Sequence, residues 1–178
     1  QPARPGVTPQ LVAGDLVPKA VQQQLGLVTV AGGCSGTLLN RFWVLTADHC
    51  VASNGMWGGP DAALANLTVS STWSTRSARP SKVIRYYLSH GRDVALMFLG
   101  AGDLGATPEQ SLYAGVANTS AVMRAYGRGI HTLATVDASG NVTAAQSDGL
   151  YRTAAFVPYD AGAAQYRVRP TAQGQIIA

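Results

Sequence analysis

Cys34-Ser35-Gly36-Thr37-Leu38-Leu39-Asn40-Arg41-Phe42-Trp43-Val44-Leu45-Thr46-Ala47-Asp48-His49-Cys50 places two short runs rich in apolar and β-branched residues around a polar turn. A cysteine stands at each end, and a histidine precedes the second cysteine. Runs of this length bounded by Gly, Asn and Asp read as strands, so Ser35–Asn40 and Trp43–Thr46 are predicted strands. The same alternation of run and turn predicts strands at Leu25–Ala31, Leu67–Thr72, Lys82–Tyr86 and Val94–Leu99. Six such strands suit one antiparallel barrel.

Beyond them Gly100 to Pro108 reads as a connector. A second set of predicted strands follows at Ala121–Tyr126, His131–Val136, Val142–Ala145, Tyr151–Val157 and Tyr166–Arg169, and Gly174-Gln175-Ile176-Ile177-Ala178 reads as the start of another. The N-terminal residues Gln1 to Pro9 carry three prolines and little apolar content, which reads as an extended tail. The expected organisation is therefore a tail over residues 1–10, a first barrel over 11–105 and the first part of a second barrel over 106–178. The fold class is all-β.

A chain of 178 residues can bury a sizeable core. Charged residues make up only 12% against a typical ~25%, as in a β-rich secreted domain. Two cysteines separated by a short loop suggest one disulfide and an oxidising compartment, extracellular or periplasmic. The alternatives are weaker: two cysteines without clustered histidines are too few for a zinc site, and the spacing is not C-x-x-C. Closing this loop contributes about 3 kcal/mol in the chain-entropy model. No apolar run is long enough to span a membrane. No basic and apolar leader opens the chain either, which fits a signal peptide already removed.

The net charge of +4 comes from 13 basic and 9 acidic residues. Between Asp61 and Asp93 there is no acid, while Arg76, Arg79, Lys82, Arg85 and Arg92 fall in that window. An anionic partner would suit it, but a solvated face is the simpler reading. No nucleic-acid module accompanies the arginines, and no nucleic-acid partner is expected.

Downstream of the first stretch, Asp93-Val94-Ala95-Leu96 opens a predicted strand, 44 residues after His49. The two motifs, in this order and at this spacing, resemble the trypsin/chymotrypsin-like serine proteases. That family reads roughly C-G-G-S-L-I, a short turn, W-V-L-T-A-A-H-C, and then D-[IV]-A-L some forty-odd residues on. Clear motif coverage runs from Cys34 to Leu99, and the remainder matches loosely. The resemblance implies a double antiparallel β-barrel of the chymotrypsin type, with the second barrel incomplete in these 178 residues. It also implies a Cys34–Cys50 disulfide, His49 as general base and Asp93 as the carboxylate that orients it. His90, three residues before Asp93, would face the second substrate subsite. No metal or cofactor is implied.

Two features depart from the family pattern. Asp48 stands where the family has a small residue, and its side chain is expected to turn away to solvent or to an arginine. If ionised near His49 it would favour the imidazolium. No Gly-Asp-Ser-Gly-Gly nucleophile segment occurs in the sequence. Ser35, directly after a cysteine and in a strand frame, has no setting resembling a nucleophile elbow or an oxyanion hole. Leu11-Val12-Ala13-Gly14 only faintly resembles the family's activation terminus, and that activation route is not expected. His131 has no motif around it, and Asn66, Asn118 and Asn141 begin glycosylation sequons.

The function expected from the resemblance is secreted serine endopeptidase. This chain supplies His and Asp, and a C-terminal fragment of the same precursor, made by cleavage after Ala178 or lying beyond these residues, supplies the serine. The substrate is protein or peptide. The alternative is a catalytically inactive, protease-like binding module, which would have no chemical need for both His49 and Asp93.

Overall fold

The computed structural model describes residues 11–30, 33–51, 64–73, 80–89, 92–101, 104–105, 107–115, 120–161, 166–173 and 176–177. The expected tail over 1–10, as well as Arg76, Arg79, His90 and Asn118, lies outside them. In chain order the elements are β1 (Leu11–Val12), β2 (Asp15–Leu16), α1 (Lys19–Gln24), β3 (Leu27–Val30), β4 (Cys34–Leu38), β5 (Trp43–Thr46) and β6 (Thr68–Ser71). They continue with β7 (Ser81–Ser89), β8 (Val94–Leu99), β9 (Met123–Gly127), β10 (Thr135–Val136), β11 (Val142–Thr143), β12 (Arg152–Ala161), β13 (Tyr166–Pro170) and β14 (Ile176–Ile177). Two compact units result, Pro18–Ala114 in one and Gln1–Val17 with Gly115–Ala178 in the other.

The unit Pro18–Ala114 is a closed barrel in which β3, β4, β5, β8, β7 and β6 follow one another and β6 pairs back to β3. Its strands bury alternate residues, as a sheet with one dry face requires. Val28 and Val30 of β3, Val44 of β5, and Ala95, Met97 and Leu99 of β8 all point inward, each 0% exposed. Side chains between them, Thr29, Trp43, Leu45, Leu96 and Phe98, remain partly exposed on the outer face. There Trp43 meets Phe98 edge to face at 4.9 Å, as directly opposed partners in the β5–β8 register.

Small residues set how tightly the barrel closes. Gly36 faces inward on β4, where a methyl group would stand 2.8 Å from a Val30 methyl and 3.1 Å from one of Val44. Gly26 enters β3 with φ +65°, and its carbonyl accepts the Leu38 N–H at 2.7 Å. A Cβ there would lie 2.6 Å from the Leu38 carbonyl oxygen. In β7 the register against β8 shifts between Val83 and Arg85. The bulge reverses the alternation, so Ser81 and Val83 point inward before it, and Tyr86 and Leu88 pack on the core after it. For that reason β7 runs to Ser89, three residues past the strand expected from alternation alone.

In the other unit β12 is the central strand. Arg152–Phe156 pair with Gly127–Met123 of β9 on one side, while the opposite side takes Leu16 and Asp15 of β2 and then β13. Pro158 sits where the β12–β13 register shifts, a place a strand proline can occupy without breaking the ladder. Tyr151 and Ala154, each 1% exposed, and Leu11, 4% exposed, are buried in this unit. The β10–β11 hairpin is turned by Asp137, whose Oδ1 accepts the N–H groups of Ser139 and Asn141, both at 2.9 Å. At the start of β12, Asp148 accepts two hydrogen bonds from the Arg152 guanidinium, at 2.7 and 2.8 Å. Among the described residues no helix is long and apolar enough to cross a membrane.

The expected strands over Trp43–Thr46 and Val94–Leu99 form with those bounds. Strands β1 and β2 and the helix α1 were not expected, and His131–Val136 narrows to the two residues of β10 plus an isolated bridge at Thr132.

Two outcomes follow. Gly26→Ala combines a left-handed backbone with a clash against Leu38, and should cost at least about 1–2 kcal/mol in chemical denaturation. The hydrogen bonds from Arg152, with that from the Leu150 N–H, hold the Asp148 carboxyl far below its ordinary 3.8. A depressed carboxylate stabilises the fold above the unfolded-state value and loses that contribution as the pH falls toward the folded one. The stability gap between wild type and Asp148→Asn should therefore be full near neutrality and shrink below about pH 4. A gap that persists unchanged at pH 2.5 would contradict this assignment.

Candidate active site

The antiparallel register of β5 and β8 places Thr46 opposite Ala95. The residues just after β5 and just before β8 therefore emerge at the same end of the barrel. After Thr46 the chain turns through a single 3-10 turn, Asp48–Cys50, closed by Cys50 N–H to the Ala47 carbonyl at 3.1 Å and Val51 N–H to that of Asp48 at 2.8 Å. The Thr46 hydroxyl donates to the Ser35 carbonyl at 2.9 Å. The Cys34–Cys50 disulfide joins the start of β4 to the end of the turn, with Cα atoms 6.0 Å apart. The turn is thus tied to β4 at both ends, and His49 lies between the ties.

Asp93 meets His49 from the other side. Its backbone has φ +49°, a left-handed conformation that Asp tolerates better than most side-chain-bearing residues. Its Oδ1 accepts the His49 backbone N–H at 3.0 Å, while the imidazole Nδ1 lies 3.0 Å from Oδ1 and 2.9 Å from Oδ2. A carboxylate only accepts, so the neutral ring carries its proton on Nδ1 and keeps a lone pair on Nε2. The backbone contact fixes the loop and the side-chain contact fixes the tautomer. Both side chains are partly in water, 45% exposed for His49 and 39% for Asp93, so their mutual attraction is screened.

Of the two directions expected for the Asp48 side chain, the one to solvent is not taken, since the residue is only 4% exposed. Within the 3-10 turn Asp48 is buried and His49 exposed.

The other sequence candidates lie elsewhere. Ser35 is within β4, paired with Thr29, and its carbonyl is the acceptor for Thr46. His131 belongs to the other unit, where its Nδ1 lies 2.9 Å from the Thr132 hydroxyl and its Nε2 3.7 Å from Asp148. Lys82, Arg85 and Arg92 are exposed, and the Arg85 guanidinium sits 5.3 Å from the centre of the Phe98 ring. Asn66 and Asn141 are also exposed. Sequence reasoning gave no sign of the left-handed Asp93 or of the Thr46 to Ser35 bond that braces the turn.

The arrangement can accept a proton at Nε2 and stabilise the resulting imidazolium through Asp93. Asp93→Asn keeps the side-chain shape and the tolerance for the left-handed backbone, and changes only the charge and hydrogen-bonding character. Nitrogen-15 NMR of the His49 ring should show the Nδ1–H tautomer in the wild type and a shift toward Nε2–H in this variant. An unchanged tautomer would dissociate the ring from Asp93.

A family model described as Trypsin matches residues 14–146. No curated protein matches the chain.

Proposed function

The chain belongs to the trypsin family, and we propose that it is the base-and-acid part of a secreted serine endopeptidase whose nucleophilic serine lies on polypeptide beyond Ala178. The observation that carries the reading is the three-contact pairing of His49 with Asp93. A surface histidine without a chemical task has no need of a carboxylate gripping both its ring and its backbone. The Cys34–Cys50 disulfide supports an oxidising location outside the cytoplasm.

In this reading a serine hydroxyl brought to Nε2 gives up its proton to His49 as its oxygen attacks the scissile carbonyl of a peptide. Asp93 stabilises the imidazolium and keeps the ring from turning over. The same proton then passes from Nε2 to the departing amine, which collapses the tetrahedral intermediate to an acyl-enzyme. Water repeats the sequence, with His49 again as base, and releases the acid. Substrate seated over the pair displaces the water that now screens it, so the attraction between His49 and Asp93 strengthens when charge develops.

The test is to produce the chain together with the polypeptide that follows Ala178 in its gene, and to measure peptide hydrolysis and labelling by a fluorophosphonate. The label should appear on a serine outside residues 1–178. His49→Ala and Asp93→Asn should each lower kcat, the latter by about 10⁴-fold. Labelling of a serine within these residues, or hydrolysis indifferent to both substitutions, would overturn the proposal.

A further inference from the structure

On the outer face of the closed barrel, β5, β8 and β7 present two cross-strand rows, Trp43–Phe98–Arg85 and Leu45–Leu96–Tyr87, with Val94 opposite Ser89 beyond them. The inner face of the same strands is packed on the core, so the sheet is apolar on both sides here. Its outer rings form one cluster. Phe42 stacks on Phe98 at 5.7 Å, Trp43 meets Phe98 edge to face, and Tyr87 lies 6.1 Å from Trp43. Two cations cover it: the Arg41 guanidinium stands 5.0 Å from the centre of the Phe42 ring, and that of Arg85 5.3 Å from the centre of Phe98. Tyr87, Ile84 and Val94 nonetheless remain exposed, the first two at 52%. Adjoining exposed apolar side chains rimmed by charge mark an interaction surface.

The bulge in β7 is what turns Arg85 outward. Ser81 and Val83 are buried, and unbroken alternation would put residue 85 in the core with them, whereas the register shift sets it opposite Phe98. Arg41, Lys82 and Arg85 are exposed, and among the described residues none of them pairs with a carboxylate. No acid occurs in the sequence between Asp61 and Asp93. A guanidinium stacked on a ring is restrained, and it keeps its in-plane N–H groups for a carboxylate. Fixed cations over an apolar face are complementary to an acidic ligand that also carries apolar groups. A sugar would need an open ring face to stack on, but Phe42 and Phe98 already carry the guanidiniums and each other. The closed barrel offers no strand edge for backbone pairing either. What remains is side-chain recognition, by the Tyr, Trp and Arg residues that are enriched where proteins bind polypeptides.

We propose that this face docks an acidic stretch of the polypeptide substrate, with Arg41 and Arg85 pairing its carboxylates and Tyr87, Leu96 and Val94 meeting its apolar side chains. The surface stands on the geometry above, and the choice of a substrate as its occupant rests on the proposed function. The outer row of β8 connects the two. Val94 follows Asp93 directly, and Leu96 and Phe98 continue the row away from it along the barrel wall. At about 3.3 Å per residue, Phe98 lies roughly 16 Å along the chain from Asp93. An extended peptide running from the His49–Asp93 pair along that row therefore comes level with Arg85 after about five residues. The favoured substrate is a protein with glutamates or aspartates about that far from the bond to be cut, and a very short peptide misses the face.

The experiment uses the 178-residue chain and a fluorescein-labelled peptide of alternating glutamate and leucine, with glutamine in place of glutamate as its control. Fluorescence anisotropy should show saturable binding of the glutamate peptide alone, weakening as NaCl screens the contact. The indole N–H signal of Trp43 in the NMR spectrum should shift on binding, which places the peptide on this face. Arg41→Gln and Arg85→Gln should each weaken binding about 3–10-fold. Lys19→Gln, the same change of charge on α1, should bind as the wild type does. Equal binding of the glutamine peptide, an unmoved Trp43 signal, or unchanged affinity in both arginine variants would overturn the docking face. Tighter, Arg85-dependent binding of a sulfated glycan or of phosphatidylserine vesicles would overturn the choice of a polypeptide. In the enzyme produced with the polypeptide that follows Ala178, glutamates placed about five residues from the scissile bond should lower KM and leave kcat unchanged. An equal KM would overturn the assignment to substrate. The binding readouts involve no hydrolysis, so failure of the docking face and failure of the protease reading are separable.

Discussion

The pairing of β5 with β8 is the constraint on which the site depends. Thr46 opposite Ala95 brings the exit of one strand and the entrance of the other to the same barrel edge, although the residues that follow and precede them are far apart in sequence. A slip of one residue would reverse every side chain on β5, turning Val44 outward and Trp43 into the core. The alternation that buries Val44, Ala95, Met97 and Leu99 therefore also fixes where His49 and Asp93 meet. Core packing and site geometry are one constraint, and neither can be altered without the other.

Around that register, three local devices remove the freedom that remains. The 3-10 turn buries Asp48 and exposes His49, the disulfide holds the turn's far end, and the left-handed Asp93 brings its carboxylate to the His49 ring and backbone. Each restrains a different degree of freedom: the loop's path, its distance from β4 and the direction of the acid. The His49–Asp93 pair itself lies partly in water and adds little to stability. Its precision comes from the scaffold on both sides, as preorganisation requires.

What the sequence revealed follows from which forces act locally. Trp43–Thr46 and Val94–Leu99 were legible to the residue because each is a short apolar run bounded by polar turn residues. The full length of β7 was not, because the bulge after Val83 reverses the phase, and bulges leave no compositional mark in Ile84-Arg85-Tyr86. Helix α1 escaped notice for the opposite reason. Its six residues follow Pro18 with no side-chain cap, no acid in the first turn and no base in the last. It is held instead by tertiary contacts, such as the hydrogen bond between Thr72 and Gln22. Strands of two residues such as β2 exist only because β12, far downstream, supplies their partner. At the candidate site, motif and spacing singled out His49 and Asp93, which the structure brings within hydrogen-bond distance, whereas the burial of Asp48 depends on the local path of the 3-10 turn, which composition does not reveal.

The disulfide and the imidazole share an origin in this architecture. A crosslink placed to hold the histidine turn must end beside the histidine, so the stabilising device brings sulfur close to the ring. A carboxylate placed to fix the tautomer must sit on Nδ1, which leaves the lone pair of Nε2 to take a proton. The barrel edge thus holds the histidine twice, by its loop through the crosslink and by its ring through the acid, and the two restraints meet at one residue.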